Sequence, residues 1–156
     1  MVEICNGDVF NSGADIICHQ VNCRGVMGAG IARQIKKKYY WAYEQYKAQC
    51  NKYEGSDLLG TCFLSIDYRN AKSPVIANLF GQVDYGTDKQ YTDLENGLFP
   101  ALRHLHRFVE KSELSHIAIP YGMGCGLGGA NWDDVYNFIL DEFGSDEFIY
   151  VYIYKL

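Results

Sequence analysis

The sequence predicts a layered α/β domain, and three observations carry that expectation. Short apolar segments alternate with longer stretches of helical periodicity. Several of the apolar segments are continuous rather than alternating, the pattern of strands covered on both faces. Glycine is concentrated between strand-like and helix-like segments: eight of the 16 glycines fall in residues 25–30 and 122–129.

The strands are expected at residues 2–5, 15–21, 59–66, 75–80, 116–120 and 148–154. A helix is expected from about residue 30 to about 52, through the Tyr- and Lys-rich stretch. Another runs from Tyr91 onward, where Thr92 and Glu95 make a T-x-x-E capping box and Leu94, Leu98, Leu102, Leu105 and Val109 keep helical spacing. Pro100 conflicts with that helix and predicts a kink or a late start. A third helix should begin at Asn131 as N-cap, with Asp133 and Asp134 in its first turn and Val135, Ile139 and Leu140 facing the core. With 156 residues, no linker and no repeat, the chain reads as one domain over residues 1–156.

Charge and cysteine usage narrow the function. The 14 Lys and Arg against 19 Asp and Glu, a net charge of −5, argue against a protein that grips duplex nucleic acid by blanketing phosphates. Arg33, Lys36, Lys37 and Lys38 form the basic cluster and read as the solvated face of a helix. No apolar run is long enough for a transmembrane helix, and the first residues lack a secretory signal pattern, so a cytoplasmic protein without membrane contact is expected. The six cysteines read as free thiols. No C-x-x-C or H-E-x-x-H occurs, and His104 and His106, two apart on a helix, point to different sides, so no metal site is expected.

The two glycine loops carry the functional expectation. Residues 22–32 read NCRGVMGAGIA and residues 121–129 read YGMGCGLGG. Each follows a strand and opens onto a helix, where an open α/β sheet leaves a ligand crevice. Bare backbone there can turn N–H groups toward phosphate oxygens, helped by the helix dipole. The loops therefore predict a diphosphate site that needs no lysine. Residues 124–129 match G-x-G-x-x-G, but too little chain follows for a Rossmann domain, and no P-loop motif occurs.

Gly7-Asp8-Val9, Asp15-Ile-Ile, Asn22 with the GVMGAGIA stretch, and the stretch from Ile119 through Gly128 together resemble the macrodomain family of ADP-ribose-binding proteins, in the right order along nearly the whole chain. The resemblance is greatest to the branch holding the terminal ADP-ribose protein glycohydrolase, the fungal ADP-ribose 1''-phosphate phosphatase and antitoxins that remove ADP-ribose from DNA. It implies a three-layer α/β/α fold with a mixed, mainly parallel central sheet. It also implies that Asp8 and the Val9 amide meet adenine and that Asn22 bonds the distal ribose. Gly28, Gly30 and Ile31 would line one side of the diphosphate, with Gly124, Cys125, Gly126, Leu127 and Gly128 on the other. Tyr154 either stacks on adenine or is a core aromatic of the last strand. The lysine and aspartate of the glycohydrolase branch correspond here to Gln82 and Gly128, which can act neither as nucleophile nor as base. That leaves His19, three residues before Asn22 at a position where the resemblance to the fungal phosphatase implies a histidine, as the catalytic candidate, against the alternative of a strand histidine satisfied locally, with Asp84 and Asp133 as candidate partners. The implied activity is metal-independent, cofactor-free hydrolysis at the distal ribose, with ADP-ribose 1''-phosphate the first substrate. The alternatives are a glycohydrolase acting on ADP-ribosylated protein or nucleic acid, and a non-catalytic ADP-ribose reader. A monomer is expected.

Overall fold

The computed structural model describes residues 1–85 and 92–156. The strands β1 (Val2–Asn6), β2 (Ile16–Asn22), β3 (Cys62–Ser65), β4 (Val75–Gln82), β5 (His116–Pro120) and β6 (Tyr150–Lys155) form one sheet in the order β1-β6-β5-β2-β4-β3. All neighbours are parallel except β3 and β4. The expected mixed, mainly parallel sheet is therefore present.

The helices α1 (Gly30–Lys38), α2 (Tyr40–Lys52), α3 (Gly55–Leu58), α4 (Phe99–Glu110) and α5 (Trp132–Phe143) divide between the faces. The period-2 alternation of strand side chains sorts the apolar residues into two cores. Ile16 and Cys18 of β2, Ala77 and Leu79 of β4 and Ile117 and Ile119 of β5 face α4 and α5, against Leu102, Leu105, Val135 and Ile139. Ile17, Val21, Ile76, Phe80 and Ala118 face α1 and α2, against Ile35, Ala42 and Tyr46. That second layer stops short of β1, an edge strand whose residues are half-buried or exposed.

Three local expectations are corrected. The single helix over 30–52 is two, because Tyr39 leaves the helical region at φ −131°, ψ 68°. No breaker residue marks that position; the interruption brings the Tyr39 ring near Phe10 and Trp41 while Ala42 and Tyr46 turn to the sheet. Thr92 is not an N-cap: Asp93 caps a π-helical turn over Leu94–Leu98 by accepting from the Asn96 amide at 3.0 Å. The α-helix then starts late, with Pro100 in its first turn where its missing N–H has no consequence. Tyr91 lies outside the described residues. Leu140, expected on the core side of α5, is half-buried, while Phe143 takes the buried position. Asn131 does cap α5, accepting from the Asp134 amide.

Candidate functional site

Parallel β2, β4, β5, β6 and β1 all end on one side of the sheet, and the chain leaves each through a loop. Between the loops after β2 and β5 lies a cleft of about 690 Å³. Its floor is His19 to Asn22 with Gln82. One wall is Val26 and Gly28 to Ala32; the other is Tyr121 to Gly124 and Gly126 to Gly128. Among the described residues, no Lys, Arg, Asp or Glu lines it. Exposed Tyr85, Tyr121 and Leu127 form an apolar rim.

The first wall presents the amino end of α1. Its N-cap is Ala29, whose side chain cannot accept a hydrogen bond, so the first-turn amides are left to whatever enters the cleft. The loop before it is held by Asn22. Its Oδ1 accepts from the amides of Arg24 (3.0 Å) and Val26 (3.3 Å) and from the Tyr46 hydroxyl (3.0 Å), while its Nδ2 donates to the Val26 carbonyl (2.8 Å). Asn22 thus shapes the loop, and its second amide hydrogen remains for a ligand.

The second wall differs from its expected form. Asn131, Asp133 and Asp134 occupy the amino end of α5, so no helix dipole serves the cleft from that side. The loop itself supplies donors: among the described residues, the amides of Gly126, Leu127 and Gly128 find no acceptor. At Gly126 a Cβ would meet no heavy atom within 4 Å, so space inside the protein does not require glycine there. Gly128 is the opposite case. A Cβ would collide with Thr92 Oγ1 and stand 2.7 Å from the Gly124 carbonyl oxygen. Cys125 turns away from the cleft into the α4 and α5 side, with Sγ near the Met123 carbonyl at 3.5 Å, and burial pushes its thiol up to about 11.

A polar clamp that the sequence does not announce sits beneath this loop. Gln20 Nε2 donates to Gln82 Oε1 (2.8 Å) and Thr92 Oγ1 (2.7 Å), and the Thr92 hydroxyl donates to the Gly124 carbonyl (2.9 Å). Gln82 Nε2 donates to the Asp84 carbonyl (2.6 Å). Gln82, at the position expected of lysine, is therefore tied at both amide ends. Strand alternation alone puts Gln20 and Gln82 on opposite faces, and the register shift between Val21 and Asn22 that breaks the alternation has no local signal; the capping-box reading hid Thr92.

His19 projects from β2 and is 2% exposed. Its Nε2 lies 2.8 Å from Asn78 Oδ1. Asn78 Nδ2 is committed to the Phe63 carbonyl and Ser65 Oγ, so its Oδ1 acts as acceptor and His19 Nε2 carries the proton. Nδ1 is then a bare lone pair, shut off from solvent and without a partner among the described residues. Burial lowers the pKa from 6.5 to about 4 against the upward pull of the Asn78 bond. Asp84 pairs instead with Arg24, Nε to Oδ1 at 2.6 Å, and Asp133 sits at the start of α5. Asn78 is the residue that orients His19.

Asp8, Val9 and Tyr154 do not line the cleft. They gather beside it, at the ends of β1 and β6. Asp8 Oδ1 caps a short 3₁₀ turn by accepting from the Phe10 amide (2.9 Å), Val9 is buried, and the Tyr154 ring lies 3.7 Å from where a Gly7 Cβ would stand. The Tyr154 carbonyl accepts from the Tyr121 amide (2.9 Å), which joins this group to the second wall.

Comparison with known proteins places these features. The family model described as Macro domain matches residues 18–139. The ADP-ribose 1''-phosphate phosphatase of Saccharomyces cerevisiae is 31% identical over 162 aligned residues, covering 90% of this chain and 90% of that protein. The DNA ADP-ribosyl glycohydrolase of Mycobacterium tuberculosis is 26% identical over 144 residues, covering 92% of this chain but 39% of that protein. This chain thus spans well under half of that relative. The solved macrodomain of Mycobacterium tuberculosis DarG superposes with a TM-score of 0.85 at 26% identity, over 100% of this chain and 98% of the other.

Proposed function

Because the chain belongs to the macrodomain family, we propose that it binds ADP-ribose in this cleft and hydrolyses a group from the distal ribose, with ADP-ribose 1''-phosphate as first substrate. One observation carries the reading: a cleft of about 690 Å³, free of ionised side chains among the described residues and lined by an uncapped helix end and by Gly126 to Gly128, whose amides find no acceptor among those residues. Donors of that kind hold a diphosphate without a counter-cation. A diphosphate between the two walls puts the distal ribose near Asn22 and the adenosine toward Asp8 and Tyr154. We assign Asp8 and the Val9 amide to adenine, Asn22 to the ribose, and Gly28, Gly30, Ile31, Gly124, Gly126, Leu127 and Gly128 to the diphosphate. Cys125, expected in this set, is left out of it: it does not line the cleft, and its amide is given to the Gly122 carbonyl (2.9 Å).

His19 is assigned the catalytic role. Water attacks phosphorus and the bond from phosphorus to the 1'' oxygen breaks; Nδ1, uncovered by a small movement of the ring, accepts the proton of the water and passes it to the departing 1'' oxygen, so His19 returns to its neutral form. The products are ADP-ribose and inorganic phosphate. The named activity of the yeast relative supports this order of preference. A lysine-and-aspartate glycohydrolase is disfavoured on geometry, since Gln82 is tied at both amide ends and Gly128 has no room for a side chain. We take the protein to be cytoplasmic and monomeric; no helix among the described residues is long and apolar enough to cross a membrane.

Calorimetry with ADP-ribose tests binding, and phosphate release from ADP-ribose 1''-phosphate tests catalysis. Turnover that falls to background in His19→Ala is the expected result. Binding with no release of phosphate would select the reader, and release of free ADP-ribose from a modified peptide or oligonucleotide would select the glycohydrolase.

A further inference from the structure

At the opposite end of the sheet, where α4 and α5 finish and β5 and β6 begin, His106 meets carboxylates from three parts of the chain. Glu110 is one turn further along α4, Glu142 is near the end of α5, and Asp146 is in the loop leading to β6. Glu142 Oε2 lies 2.7 Å from Nδ1. Asp146 Oδ2 lies 3.0 Å from Nε2 and Glu110 Oε1 3.6 Å from it.

We propose that His106, Glu110 and Asp146 bind a divalent cation of the zinc class, a site separate from the cleft and independent of the function proposed for it. The donor set, one imidazole nitrogen and two carboxylate oxygens, suits such a cation better than calcium, which takes six or more oxygens. In a tetrahedral site with bonds of about 2.0–2.1 Å, ligand atoms stand roughly 3.3–3.4 Å apart. The separations of 3.0 and 3.6 Å bracket that value, and the three ligand atoms lie within 4.8 Å of one another. Glu142 supplies what a metal-binding histidine ordinarily has, a carboxylate on the other ring nitrogen that fixes the tautomer and turns Nε2 toward the metal.

The ligands are held before any cation arrives. Asp146 Oδ1 accepts from the amides of Phe148 (2.9 Å) and Ile149 (3.2 Å), which leaves Oδ2 to point at His106. The His106 ring packs on Phe143, centroids 4.6 Å apart. The carbonyl ends of α4 and α5 converge here and add negative potential. Without a cation, the proton on Nε2 serves the same carboxylates. The Met1 ammonium, also at this end, donates to the carbonyls of Asp146 (3.2 Å) and Ile149 (2.9 Å).

The test is titration of the tag-free, chelator-washed full chain with Co²⁺, followed by visible absorption and then by displacement with Zn²⁺. One equivalent should bind with the absorption of a tetrahedral cobalt site and raise the melting temperature. His106→Ala and Glu110→Gln should each abolish it, and Glu142→Gln should weaken it about 10- to 100-fold without changing the stoichiometry. Glu110 is half-exposed and outside the core, so its variant keeps the test sharp if His106→Ala folds poorly. ADP-ribose calorimetry on the same variants should be unchanged, whichever way the cleft assignment stands. Saturation equal to wild type in Glu110→Gln, or no saturable uptake below about 1 mM, overturns the proposal.

Discussion

Gly126 offers the cleanest test of how the cleft recognises an anion. Its Cβ site is empty to 4 Å, and its φ lies outside the left-handed range, so replacement costs the fold nothing sterically. Gly126→Ala should even gain roughly 0.4–1 kcal/mol, because alanine restricts the unfolded chain. Gly126→Glu adds a carboxylate on the wall assigned to the diphosphate. Two unit charges about 4 Å apart repel by about 4 kcal/mol at an effective dielectric of 20, and screening and side-chain escape reduce this to about 2 kcal/mol. The expected loss of ADP-ribose affinity is therefore about 30-fold to about 700-fold. Gly126→Gln, the neutral isostere, isolates the steric part. Calorimetry on the wild type and three variants, with thermal melts as a fold check, reads both quantities. If the Glu and Gln variants bound ADP-ribose within about threefold of one another, no phosphate charge would lie near Gly126 and the two-walled reading would fail.

Three further outcomes follow from the geometry. Gly128→Ala forces a methyl into Thr92 Oγ1 and the Gly124 carbonyl, an overpacking expected to cost about 1–3 kcal/mol in denaturant melts. Asn22→Ala strips the acceptor from the amides of Arg24 and Val26, while the Tyr46 hydroxyl keeps the Asn22 carbonyl, so it should lower stability by about 1–3 kcal/mol as well as weaken ADP-ribose binding. His19 has its folded pKa depressed from 6.5 to about 4, so between these values the unfolded chain binds the extra proton and stability falls as pH falls. The loss at the acid end is on the order of 3 kcal/mol, and His19→Gln should show a shallower slope than wild type over that window. His106, with its pKa raised, works in the opposite sense, its contribution being lost as pH rises.

The positions of the strands along the chain and the glycine loops were legible because they rest on local signals: continuous apolar runs, turn residues and an N-cap at Asn131. The extended 116–120 segment matches β5 residue for residue. What escaped depends on partners distant in sequence. Nothing near Tyr39 marks a break, since the cause is packing against Phe10 from another segment. Thr92 satisfies the local rule for a cap, yet its hydroxyl is taken by the Gly124 carbonyl, which only the folded chain brings within reach. The constellation around His106 comes from α4, α5 and the loop after it, so no spacing motif could announce it. His19 was picked out by position alone; its deep burial and its bond to Asn78 are consequences of strand register, His19 opposite Asn78.

The pairing of β1 with β6 has a kinetic consequence. Val2 registers with Val151, and among the described residues β6 is the only sheet partner of β1. Closing that contact spans nearly the whole chain, so it carries the largest loop-closure entropy in the sheet and belongs late in folding. Gly7, Asp8 and Tyr154 reach their places only when the two strands dock. The molecule would thus complete the wall after β2, built from chain neighbours, before it acquires the corner assigned to adenine. An intermediate lacking that corner would hold a phosphate before it could distinguish one nucleoside from another.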